Sequence, residues 1–205
     1  MLGLMLKYSR FCERCRAMRV IAGRFKGRRL VTVRSNSIRY TSDRVRESLF
    51  AIIRRVVPGS FFLDLFAGVG SVGIEALSRG AGFVLFVEKN PRCVRAIREN
   101  LRLCGVSLGD ESAHIFQKDA LRAFKAVENM GLHFDIVFLD PPYGSPLLEK
   151  ALRKLDRSQI LSDDAMVIAE RPFRSILPED LESLIRIREE RYGDTVLTFF
   201  KRRER

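Results

Sequence analysis

Leu63-Asp64-Leu65-Phe66-Ala67-Gly68-Val69-Gly70-Ser71-Val72-Gly73 is the stretch that decides how this chain folds. The largely apolar run Phe61–Leu65 reads as a buried strand, and Ser71–Ser78 reads as a helix. Between them Gly68, Gly70 and Gly73 match Gly-x-Gly-x-x-Gly, a spacing that lets backbone turn sharply and approach a ligand closely. Glu88 follows Gly68 by 20 residues, at the end of the next expected strand, where a carboxylate can accept both hydroxyls of a ribose. A tight turn alone would explain the glycines, but not Glu88 placed in that setting.

Outward from this stretch, strands and helices alternate. Expected strands are Phe61–Leu65, Phe83–Glu88, Ala113–Gln117, Phe134–Leu139 and Ala165–Glu170. Expected helices are Ser71–Ser78, Pro91–Leu103, Ala120–Met130 and Leu147–Leu155. Wholly apolar strands between helices predict an α/β fold, with a mostly parallel sheet covered on both faces. Before it, Ser42-Asp43 caps a helix running to about Val56, with Val45, Leu49, Ile52, Ile53 and Val56 at helical spacing. After it, a short helix near Pro178–Leu184 leads to two runs, Ile185–Tyr192 and Thr195–Lys201. Gly193-Asp194 joins them as a hairpin, so the sheet ends in an antiparallel edge.

At 205 residues the chain fits one domain with a small extension. No apolar run is long enough for a membrane span, and the arginines after Met1–Leu6 do not fit a secretory signal, so a cytoplasmic protein is expected. Residues 1–17 read as a loose extension or a misassigned start, followed from Met18 by a domain start. Cys12 and Cys15 form a single Cys-x-x-Cys with no second pair and no nearby His, so no metal is expected.

Net charge is +12, and all of it lies in the first 60 residues, which hold 15 Lys and Arg against 3 Asp and Glu. A basic segment on a neutral body is an electrostatic footprint for a polyanion. Met18–Val33 reads as short strands around a glycine turn at Gly27. Its Arg24, Lys26, Arg28 and Arg29 suit backbone phosphates, and Phe25 suits either stacking or a small core. Arg39 and Arg44 extend this phosphate-binding set. Arg92, Arg95, Arg98 and Arg102 read instead as the solvated face of a helix.

Two cofactors fit the glycine loop, NAD and S-adenosylmethionine. Asp64 favours the second, since a carboxylate at that strand end can hold an ammonium group. Asp119 can take an adenine amino group, although an N-cap role also fits it. The expected cofactor shell is Asp64, Phe66, Ala67, Gly68, Gly70, Glu88, Lys89, Asp119 and Ala120. Asp140-Pro141-Pro142-Tyr143 follows the apolar run Phe134–Leu139. Each proline fixes φ and lacks an N–H, so the carbonyls there can face a ligand. The dipeptides also occur in plain turns. Beside a methyl donor they read as catalytic. Asp140 and the Pro141 carbonyl would accept from an exocyclic amino group, and Tyr143 would stack on its base.

These residues together resemble S-adenosylmethionine-dependent methyltransferases of exocyclic amino groups. More closely, the chain resembles the bacterial 16S ribosomal RNA guanine-N2 methyltransferases of the RsmD type. The resemblance runs from about Met18 to Lys201. It is carried by Ile21-Ala22-Gly23, Gly27-Arg28-Arg29-Leu30, the segment Thr41–Phe50, Leu63–Gly68, Leu77–Ala81, Val87-Glu88-Lys89-Asn90, Asp140–Tyr143 and Tyr192–Thr195. One departure is Tyr40, where the family usually has Pro, at the approach to the helix.

The resemblance implies a Rossmann-like class I fold. It has a seven-stranded, mostly parallel sheet with helices on both faces and an antiparallel C-terminal hairpin. A small basic N-terminal β extension, residues 18–40, would touch RNA, and residues 41–205 would form the methyltransferase domain. The implied reaction is methylation of a guanine N2 in 16S ribosomal RNA, either free, within the 30S subunit or within an assembly intermediate, by a monomer. A DNA adenine-N6 or cytosine-N4 amino-methyltransferase is the alternative, because Asp-Pro-Pro-Tyr occurs there too, but 205 residues leave little room for its recognition domain.

Overall fold

A computed structural model describes residues 18–33, 40–107 and 111–203. Its elements run in the order α1 (Asp43–Ile52), β1 (Phe61–Asp64), α2 (Ser71–Ser78), β2 (Phe83–Val87), α3 (Pro91–Leu103), β3 (Ala113–Phe116) and α4 (Ala120–Glu128). There follow β4 (Phe134–Leu139), α5 (Leu147–Arg157), β5 (Leu161–Pro172), β6 (Leu184–Tyr192) and β7 (Thr195–Arg202). The seven strands form one sheet in the order β3-β2-β1-β4-β5-β7-β6. β1 to β5 are parallel, and β7 enters antiparallel between β5 and β6.

Period-2 alternation along the strands sends side chains to two separate cores. Phe62, Val84, Phe86, Ile136 and Phe138 face one layer with α1, α2 and α3. Leu63, Leu85, Val87, Val137 and Leu139 face the other with α4 and α5. The edge strand β6 exposes Arg186, Arg188, Glu189 and Arg191, charges that discourage edge-to-edge pairing. Among the described residues no helix is long and apolar enough to cross a membrane.

Chain order reverses direction across the sheet between β1 and β4. In an open α/β sheet, the crevice beyond the strand carboxyl ends at such a reversal is where ligands bind. The glycine loop leaves β1 at this point, and Asp140 leaves β4.

The expected N-terminal strands shrink to a single antiparallel bridge, Arg19 with Arg29. The turn between them is closed by Val20 N–H to the Arg28 carbonyl at 2.9 Å and Gly27 N–H to the Val20 carbonyl at 2.9 Å. Other backbone donors go to buried side chains of the main body. The Glu75 carboxylate, wholly buried on α2, accepts from Ile21 at 2.8 Å and Ala22 at 3.0 Å. The Ser78 hydroxyl accepts from Phe25 N–H at 2.9 Å and donates to the Ala22 carbonyl at 2.5 Å. Met18, Val20 and Leu30 join the core of the α1–α3 layer, and Phe25 packs against it, so its ring belongs to packing.

Helix α1 stops at Ile52, short of the expected Val56, which is exposed in a turn. Tyr40 does not disturb the helix start. Its hydroxyl accepts from Val33 N–H at 2.9 Å and donates to the Val33 carbonyl at 2.8 Å, and Ser42 caps α1. The expected helix at Pro178–Leu184 is absent. The Asp156 carboxylate instead takes the N–H groups of Glu182, Ser183 and Leu184 at 2.9, 2.7 and 2.9 Å, holding that backbone in a non-helical cradle. Those bonds hold the Asp156 carboxyl below the usual range, even though burial alone would raise it. Cys12, Cys15 and Arg39 lie outside the described residues.

Candidate active site

One cavity of about 580 Å³ opens at the carboxyl ends of the central strands. Its wall contains Asp64, Phe66, Ala67, Gly68, Glu88, Lys89, Asp119, Ala120 and all four residues Asp140–Tyr143. Gly70, the remaining expected member, supports the loop from behind. It takes the left-handed conformation at φ 81° as N-cap of α2, where its neighbours are the Ile97 and Phe86 side chains.

Asp64 is the last residue of β1, only 2% exposed. Its Oδ2 accepts from Gly73 N–H at 3.0 Å, so it serves a first-turn donor of α2 that Gly70, lacking a side chain, cannot reach. Burial pushes its carboxyl up to about 7 and Glu88 adds to the rise, against the Gly73 bond. A buried carboxylate at a cavity wall is suited to a cationic ligand group, which would favour its charged form.

Glu88, just past β2, is braced by two backbone donors, Gly68 N–H at 2.9 Å and Asn90 N–H at 2.7 Å. A carboxylate has room for about four hydrogen bonds, so acceptor capacity remains for vicinal hydroxyls. Asp119 is indeed the N-cap of α4, accepting from Leu121 N–H at 3.1 Å through Oδ1. Its Oδ2 faces the Lys89 ammonium at 4.0 Å. Both of its expected jobs are therefore compatible.

Across the reversal point, Asp140 and Tyr143 are half-buried and Pro141 is buried. The Tyr143 hydroxyl lies 3.2 Å from Thr195 Oγ1 on β7, which fixes the ring from behind. Among the wall residues not singled out as site residues from the sequence are Thr41, Glu170 and Thr195. Thr41 Oγ1 donates to Glu170 Oε2 at 2.9 Å and lies 3.4 Å from Asp140 Oδ2. Glu170 carried a readable signal, since it is an acidic residue late in an apolar strand, as Asp64 is, while Glu88 and Asp140 directly follow one.

The basic residues Arg24, Lys26, Arg28, Arg29 and Arg44 are all exposed. The Arg24 guanidinium lies 4.5 Å over the Phe25 ring. Arg28 and Arg24 are near enough to Cys104, at the end of α3, to oppose the rise that burial gives its thiol. The basic turn is tied to the glycine loop through Asn100 of α3, which is wholly buried. Its Oδ1 accepts from Val31 N–H at 2.6 Å, and its Nδ2 donates to the carbonyls of Val31 at 3.1 Å and Val69 at 2.9 Å.

The family described as conserved hypothetical protein 95 matches residues 18–201. The Bacillus subtilis (strain 168) protein YlbH, provisionally named an rRNA methyltransferase, is 38% identical over 186 residues, covering 91% of this chain and 100% of its own. The ribosomal RNA small subunit methyltransferase D of Haemophilus influenzae is 38% identical over 153 residues, 75% of this chain and 78% of that protein. Among solved structures, yhhF from Escherichia coli, described provisionally as a methyltransferase, has a TM-score of 0.76 at 29% identity, covering 92% of this chain and 99% of that one. An RNA methyltransferase from Salinibacter ruber, solved with S-adenosyl-L-homocysteine, shares the fold alone, at 19% identity and a TM-score of 0.61 over 82% of this chain and 95% of that one. With the span 18–201 matched and these relatives 38% identical, this chain belongs to the conserved hypothetical protein 95 family, that of the ribosomal RNA small subunit methyltransferase D enzymes.

Proposed function

We propose that the protein methylates the exocyclic N2 amino group of a guanine in 16S ribosomal RNA, using S-adenosylmethionine. The observation that carries this reading is that Asp64 and Glu88 on one side, and Asp140-Pro141-Pro142-Tyr143 on the other, line a single cavity. S-adenosylmethionine supplies a methyl group on a positively charged sulfur, already reactive toward a well-aimed lone pair.

The chain's own residues do the positioning, which is most of the task. Asp64 holds an ammonium group, Glu88 accepts ribose hydroxyls, and Asp119 accepts from an adenine amino group. Phe66, Ala67 and Gly68 close the loop side, with Lys89 and Ala120 beyond. A guanine amino nitrogen is a poor nucleophile because its lone pair delocalises into the ring. Asp140 and the Pro141 carbonyl, accepting its two N–H bonds, draw it toward a tetrahedral shape and aim the lone pair. Pro142 keeps that turn rigid, and Tyr143, anchored on Thr195, packs on the base. The base must leave its stack to reach the cavity. Arg24, Lys26, Arg28, Arg29 and Arg44, together with Arg39, hold the phosphates around it. One chain supplies every named group, so the reading needs no second copy. Relatives named for ribosomal RNA disfavour the DNA alternative.

Tritiated methyl transfer to 16S RNA, free and in 30S particles, followed by nucleoside analysis, tests the reading. Labelled N2-methylguanosine is the expected product. Label in any other nucleoside, or transfer to DNA in preference to RNA, would overturn it.

A further inference from the structure

We infer that Glu170, aimed by Thr41, is the residue that selects guanine, by accepting the ring N1–H beside the amino group that Asp140 holds. The inference rests on the guanine reading above and assigns the discrimination to a named side chain.

Register places the two carboxylates side by side. Leu139, the last residue of β4, pairs with Ala169 of β5 in a parallel ladder, so Asp140 leaves β4 next to Glu170, and Thr41 Oγ1 reaches both carboxylates. Both line the cavity, and Glu170 is 6% exposed. Thr41, 5% exposed, stands between them. Its single hydroxyl proton goes to the nearer acceptor, Glu170 Oε2 at 2.9 Å, since Asp140 Oδ2 is at 3.4 Å. The Thr41 hydroxyl therefore orients Glu170 more tightly than Asp140. Glu170 is a carboxylate, a group that can accept about four hydrogen bonds.

Adenine, cytosine and guanine all present an exocyclic amino group to Asp140 and the Pro141 carbonyl. They differ at the adjoining ring nitrogen. In guanine N1 carries a hydrogen; in adenine N1 and cytosine N3 are bare acceptors. An acceptor-only side chain next to Asp140 therefore meets a donor in guanine and a lone pair in the other two. A buried carboxylate set against a lone pair gains nothing and loses its hydration, which makes this a rejecting contact as well as an attracting one.

The test uses 16S RNA built by ligation with one altered nucleotide at the position that the wild-type protein methylates. That position carries guanine or 2,6-diaminopurine, which keeps the 2-amino group but has a bare N1. The wild type should favour guanine by about a hundredfold in kcat/KM. Glu170→Gln can turn its amide N–H toward a bare N1, so it should lose most activity on guanine and bring the ratio to within about threefold. Thr41→Val, which releases Glu170 from its aim, should lower the ratio in the same direction. It decides the matter if Glu170→Gln does not fold. Cofactor affinity, read by calorimetry, should stay within about twofold in both variants. A guanine to diaminopurine ratio unchanged from wild type in the folded variants would overturn the role of Glu170. A wild-type product other than N2-methylguanosine would instead remove the guanine reading itself, before any variant is made.

Discussion

Replacing Asp64 with Asn should stabilise the cofactor-free protein at alkaline pH while weakening cofactor binding. Asp64 is fully inside, and burial raises its carboxyl from 3.8 to about 7. Between those values the folded chain binds a proton that the unfolded chain has released, so stability falls as pH rises across the window. Each unit is worth about 1.4 kcal/mol. Carrying the charge inside therefore costs nothing below pH 3.8, about 1.6 kcal/mol at pH 5 and about 4 kcal/mol above pH 7. Asn keeps the oxygen that accepts from Gly73 and adds a neutral amide whose own burial cost does not vary with pH. The stability of Asp64→Asn minus that of wild type should thus grow by about 3 kcal/mol from pH 5 to pH 8. Urea unfolding of both proteins without cofactor, at pH 5, 6 and 8, measures it. Calorimetry at pH 8 should show the variant binding S-adenosylmethionine at least about tenfold more weakly, since an ammonium partner loses its charge-assisted bond. A difference that stays flat with pH, or an Asn variant that is less stable at pH 8 than at pH 5 relative to wild type, would refute the reasoning.

Asp140→Ala should cut kcat for methyl transfer by at least about a hundredfold while S-adenosylmethionine affinity stays within about threefold, because Asp140 lines the cavity and is the residue proposed to hold the substrate amino group. Near-normal turnover would remove Asp140 from the chemistry. Reversing the charges of Arg24, Lys26, Arg28 and Arg29 should weaken RNA binding and flatten the plot of log affinity against log salt by about 0.7 for each phosphate that is no longer neutralised. An unchanged slope would move the RNA surface elsewhere. Gly23→Ala should cost at least about 2 kcal/mol in urea unfolding. Gly23 sits at φ 81°, and a Cβ there would fall 1.9 Å from the Ser78 carbonyl oxygen.

The sheet was legible because apolar strands and amphipathic helices carry their periods locally. Ser71–Ser78, Pro91–Leu103 and Phe134–Leu139 have the expected bounds. The glycine loop with Asp64 and Glu88 was legible because it, too, is local. What escaped was set by distant partners. Residues 18–33 have strand-like composition, yet their donors are taken by Glu75, Ser78 and Asn100, which lie 53 to 69 positions away. Pro178–Leu184 has turn and helix residues, but Asp156 holds its backbone from 26 to 28 positions away. Glu170 reads along the chain as the end of a strand. Its place beside Asp140 depends on the β4–β5 register, which contains an irregularity between Phe134 and Ile136 that no count along the chain reveals.

The same distant bonds explain why the basic segment and the chemistry belong to one body. Asn100 holds the backbone of Val31 with one end and the carbonyl of Val69, inside the glycine loop, with the other. Thr41 comes directly after Tyr40, whose hydroxyl clamps Val33, and its own hydroxyl reaches Glu170 and Asp140. The chain therefore leaves the basic turn, passes the Tyr40 clamp and becomes part of the cavity wall within a few residues. The Asn100–Val69 and Thr41–Glu170 links are buried and the others part-buried, and breaking a buried one leaves a donor or acceptor stranded at about 1–3 kcal/mol. Displacing the basic turn as a unit would break several together. The basic turn proposed to grip phosphates is thus held at a fixed offset from the cavity, as a base delivered out of its stack would require.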